Sequence, residues 1–88
     1  GKALTARNMK IIREIAERTE KIERFVEELV SARKVANKIE SEHDKAIAYH
    51  DTVEPKMAEI RYQIDKLELI VADELWTLPK YRELLFIR

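Results

Sequence analysis

From Ile12 onward, apolar or small residues recur at alternating steps of three and four: Ile12, Ile15, Thr19, Ile22, Val26 and Leu29, then Ala36 after a polar Arg33. An α-helix closes a turn every 3.6 residues, so this spacing gathers the residues into one stripe, whereas a strand would alternate by two. Ile11, Ala16, Phe25, Val30 and Val35 lie beside the stripe and widen it beyond the seam of a two-stranded coiled coil. A helix with so broad an apolar face needs more than one neighbour.

A second stripe of the same period runs through His50, Val53, Met57, Ile60, Ile64, Leu67 and Val71 and ends near Leu75, with Ala46, Leu69 and Ile70 close by. Between the two stripes the pattern lapses over Glu40-Ser41-Glu42-His43-Asp44-Lys45, where Ser41 and Asp44 have the spacing of a capping box. A chain reversal is expected there; the alternative is one helix running through to about Val53, with the turn at Pro55. Pro55 has no amide hydrogen for the carbonyl of Asp51 and its ring crowds that turn, which predicts a kink near 51–55.

Composition supports helices throughout. Gly occurs once and Pro twice, while 39% of residues are charged, so turns are scarce. Opposite charges stand four apart at Lys10–Glu14, Glu14–Arg18, Glu17–Lys21 and Glu20–Arg24, each pair contributing about 0.2–0.5 kcal/mol to a helix. The expected fold is all-α: a long antiparallel helical hairpin, with helices over about 6–39 and 42–76. A short C-terminal helix over about 79–86 would follow Pro79. Two such hairpins can pair into a four-helix bundle. The 88 residues form a single segment, near the lower limit for a self-sufficient core.

The same composition excludes several functions. With 17 basic and 17 acidic residues interleaved, no one-signed surface attracts nucleic acid or anionic lipid. No apolar run approaches the roughly 20 residues of a membrane-spanning helix. Cysteine is absent, so neither disulfides nor thiolate metal sites are available, a usage compatible with the cytoplasm. The tail is unusually apolar: Trp76, Leu78, Tyr81, Leu84, Leu85 and Phe86 would form an exposed patch unless they dock on another surface.

The stretch Glu74-Leu75-Trp76-Thr77-Leu78-Pro79-Lys80-Tyr81-Arg82-Glu83-Leu84-Leu85-Phe86 resembles the closing residues of type III glutamine synthetases. Similarity extends to Ala32-Arg33-Lys34-Val35-Ala36-Asn37, to Ala48-Tyr49-His50 with Val53 and Pro55, and to Arg61 followed by Asp65-Lys66-Leu67-Glu68. The resemblance implies a bacterial, cytoplasmic ligase that joins ammonia to glutamate with ATP and divalent metal in large ring-shaped oligomers. In that family the nucleotide, metal and glutamate sites belong to a preceding catalytic body, so no catalytic, cofactor or metal residue transfers to this chain. The segment is then expected to contact the catalytic body and neighbouring subunits and to support stability or assembly without catalysing anything alone. The alternative is an independent helical-hairpin interaction module that forms a homodimer.

Other candidate sites are weak. His50 and Glu54 stand four apart on one helical face, with His43 and Asp51 near, a spacing from which a metal could recruit ligands. A histidine that hydrogen-bonds near the kink explains the same residues, and the HExxH pattern is missing. Arg33 interrupts the first stripe, where it pairs across the hairpin, binds an external acidic group or lays its stem on apolar surface. Tyr49, Tyr62, Trp76 and Tyr81 suggest a stacking surface for bases, but without a positive groove. Glu27-Glu28 and Asp73-Glu74 read as a solvated face rather than an acid–base pair, and no glycine-rich loop is present to cradle phosphate.

Overall fold

The computed structural model describes the backbone of residues 2–86 and the side chains of residue 3 and residues 5–76. Helix α1 spans Lys2–Asn37. Helix α2 spans Glu42–Ala48, passes into a π-helical turn at Tyr49–Val53, and continues as α3 over Glu54–Phe86. The all-α expectation holds. The molecule is a rod of 71 × 19 × 13 Å, one helix thick in its shortest direction.

The reversal falls where the capping signal stands. Ser41 is the N-cap of α2, and its hydroxyl oxygen accepts a hydrogen bond from the Asp44 amide at 3.2 Å, satisfying one of the orphan donors of the first turn. At the end of α1, the Lys38 and Ile39 amides donate to the Val35 and Ala36 carbonyls at 3.2 and 3.1 Å, tightening the last turn. No described residue takes a positive φ, which explains how the chain reverses without glycine. The alternative turn at Pro55 is not adopted.

Pro55 acts instead within the second arm. The Glu54 amide donates to the carbonyl of Tyr49, five residues back, and this wider turn sits immediately before the proline that cannot donate. Thr52 Oγ1 donates to the Ala48 carbonyl at 2.6 Å, giving that oxygen a further partner inside the widened turn. The interruption expected near 51–55 therefore takes the form of a π turn over Tyr49–Val53. Pro79 does not separate a tail helix: α3 continues through it to Phe86, and the short element expected over about 79–86 is its last part. One proline deletes one backbone bond and presets a helical φ, a loss that a long helix absorbs.

Three cross-arm contacts fix direction and register. Arg7 holds Glu74 through two bonds of 3.3 and 2.7 Å, Arg18 reaches Gln63 at 2.9 Å, and Lys56 reaches Glu28 at 3.0 Å. Partner numbers fall on the second arm as they rise on the first, so the arms are antiparallel. The faces that meet are Ile11, Ile15, Arg18, Ile22, Phe25, Leu29, Ala32 and Ala36 on α1, and Val53, Lys56, Ile60, Gln63, Leu67, Ile70 and Glu74 on the second arm. Among the described residues, Ala36, Val53 and Gln63 alone are fully buried, and the first two anchor the end near the turn.

Candidate functional site

The contact face lies about one residue from the stripe that periodicity favours. Ile12, Thr19 and Val26 are exposed on α1, as are Met57, Ile64 and Val71 on α3, although each belongs to an expected stripe. Their places at the contact are taken by Ile11, Arg18, Phe25, Lys56, Gln63 and Ile70. Arg18, Lys56 and Gln63 bury their stems against the opposite arm and satisfy their polar ends there.

The displaced apolar residues collect on one flank. Arg7, Lys10, Glu14, Asp73 and Glu74 line a groove with Ile11 and Ile70, and this side of the hairpin is polar. On the other side a groove of about 380 Å³ is lined by Leu29, Met57, Ile60, Arg61, Ile64, Asp65 and Glu68. Helical geometry puts Ile12, Thr19, Val26 and Val30 on this second flank too, since they lie next to Ile15, Ile22 and Leu29 and away from Glu14 and Glu28. Among the described residues nothing covers it: Ile12 is 61% exposed and Met57 53%.

A further apolar row stands on the outer face of α3. Tyr62, Leu69 and Trp76 are seven residues apart and exposed, Trp76 at 80%. The Lys66 ammonium lies 5.4 Å from the Tyr62 ring centroid, a cation–π contact at the edge of this row. Trp76 thus finds no cover among the described residues. The side chains of Leu78, Tyr81, Leu84, Leu85 and Phe86, the remaining expected docking residues, lie outside those described.

The expected alternatives resolve individually. His50 Nδ1 is 2.9 Å from Glu54 Oε2 across the π turn, the bond foreseen for a histidine beside the interruption. Both side chains are solvent-exposed, so His50 is not a seam residue. Among the described residues, no group of three or more His, Asp or Glu stands close enough together to hold a metal ion. Arg33 is exposed and makes no ion pair with a described carboxylate, which overturns the cross-hairpin pairing favoured by its place in the stripe. It sits one position outside the contact face. Tyr49 turns inward, and its hydroxyl hydrogen-bonds Asn37 Oδ1 at the mouth of the turn. Of the pairs four apart, Glu14–Arg18 closes at 3.2 Å.

Sequence reasoning missed the layer formed by Lys56. Its ammonium lies 3.0 Å from Glu28, 3.5 Å from Glu59 and 5.5 Å from the Phe25 ring centroid, and Arg24 approaches the same ring at 5.5 Å. The hydrogen bond that the Lys56 ammonium donates to Glu28 is the main cause that raises the Lys56 pKa above its ordinary 10.5, opposed by partial desolvation and helped by both carboxylate charges. The signal was present as a lysine next to Met57 and four residues before Ile60, but periodicity scores it as surface.

No described helix is long and apolar enough to cross a membrane. Among the described residues the chain is thus a thin antiparallel helical hairpin with two exposed apolar rows. Over 85 residues, 97% of its length, the chain is 46% identical to a glutamine synthetase of Bacteroides fragilis (strain YCH46). It is 40% identical over 62 residues, 70% of its length, to the type-3 glutamine synthetase of Dictyostelium discoideum. It belongs with the type III glutamine synthetases as a segment of their sequence. The matched region is 12% of the length of the first relative and 8% of the second. No family model matches the chain, and no solved structure matches it.

Proposed function

We propose that the chain is the C-terminal helical segment of a cytoplasmic, bacterial glutamine synthetase and that it stabilises the parent or its oligomer without catalysing a reaction alone. The parent reaction would be ligation of ammonia to the side-chain carboxylate of glutamate, driven by ATP with divalent metal, performed by residues outside this chain. The observation that carries the assembly role is the uncovered row Tyr62, Leu69 and Trp76 on a chain that matches only 12% of a relative's length. Aromatic side chains concentrate binding energy at interfaces, so Trp76 and the apolar residues after it are the anchor to the catalytic body or a neighbouring subunit.

Deleting residues 76–88 from a full-length parent tests this reading. The expected result is dissociation of the oligomer, or a clear fall in its melting temperature, at enzyme concentrations where the remaining intact assemblies still turn over. Oligomers of normal mass and normal thermal stability would refute the assembly role. Purified 88-residue chain that formed glutamine by itself would refute the non-catalytic part.

A further inference from the structure

We draw no further inference here: the strongest candidate, the exposed apolar flank of Ile12, Thr19, Val26, Met57 and Ile64 beside the hairpin contact, carries nothing because it is an unpartnered helix face and nothing in the structure shows what covers it.

Discussion

Arg18 donates from Nη1 to Oε1 of Gln63 at 2.9 Å, joining the two arms through the one polar side chain that is buried among the described residues. The same guanidinium holds Glu14 of its own helix at 3.2 Å. A buried amide costs free energy unless its polar atoms are satisfied, and a charged donor supplies one of the stronger bonds available. Sliding one arm by a turn would separate the two residues while keeping much of the apolar contact. The pair therefore marks the register on which the flank geometry depends.

Gln63→Ala is expected to lower stability by about 1–2 kcal/mol, since it removes the acceptor and leaves space at the contact. Gln63→Leu refills the space, and Arg18 keeps Glu14, so its stability should stay within about 1 kcal/mol of the original. Thermal unfolding of the three chains at equal concentration decides the matter. A Leu variant as unstable as the Ala variant would show that the hydrogen bond, and not the filled volume, holds this layer.

Ser41→Ala should cost about 1 kcal/mol by freeing the Asp44 amide at the start of α2. The loss is expected to be local first. Hydrogen exchange should quicken in the first turn after Ser41 while amides near Ile22 and Ile60 keep their protection. Uniform quickening along both arms would mean that the cap is coupled to the whole hairpin.

The helices, their antiparallel sense and the cap at Ser41 were legible in the sequence because each leaves a local mark: a period, a short link, a serine three residues before an aspartate. Which face of each helix meets the other was not. Ile11 stands beside Ile12, Phe25 beside Val26, Leu29 beside Val30 and Ile70 beside Val71, so two neighbouring stripes are almost equally apolar. The choice between them fell to Arg18, Lys56 and Gln63, whose long stems pack while their ends find partners across the contact. A pattern of apolar letters gives such residues no weight. Arg33 was misplaced for the same reason. Pro55 announced an interruption but not its kind, because whether a helix bends, stops or widens by one residue depends on the carbonyls around it. The exposed flank, by contrast, was legible in outline as stripes too wide for one neighbour.

Ala36→Leu tests the tightest point of the contact. Ala36 is 1% exposed, and Val53 opposite the turn is 4% exposed, so the added side chain has no space. Overpacking there should lower stability by about 1–3 kcal/mol, measured by urea unfolding. Val35→Leu, at an exposed neighbour, should change it by less than about 0.5 kcal/mol. A neutral Ala36→Leu would mean that the turn opens readily and contributes little to holding the arms together.

Lys56 gives a pH dependence whose sign is fixed by its surroundings. Its pKa is raised in the folded chain, first by the hydrogen bond it donates to Glu28 and then by the charges of Glu28 and Glu59. The folded state thus holds the proton more tightly than the unfolded state, so the contribution is complete below the ordinary value of 10.5 and is lost as pH rises through the higher folded value. Comparing the chain with Lys56→Met cancels the other lysines and tyrosines that titrate in the same range. The difference in melting temperature is expected to stay flat from neutral pH to about pH 10 and to shrink above it. A difference that persisted unchanged to about pH 12 would assign the effect of Lys56 to its stem packing on Phe25, with no measurable share from the charge pair.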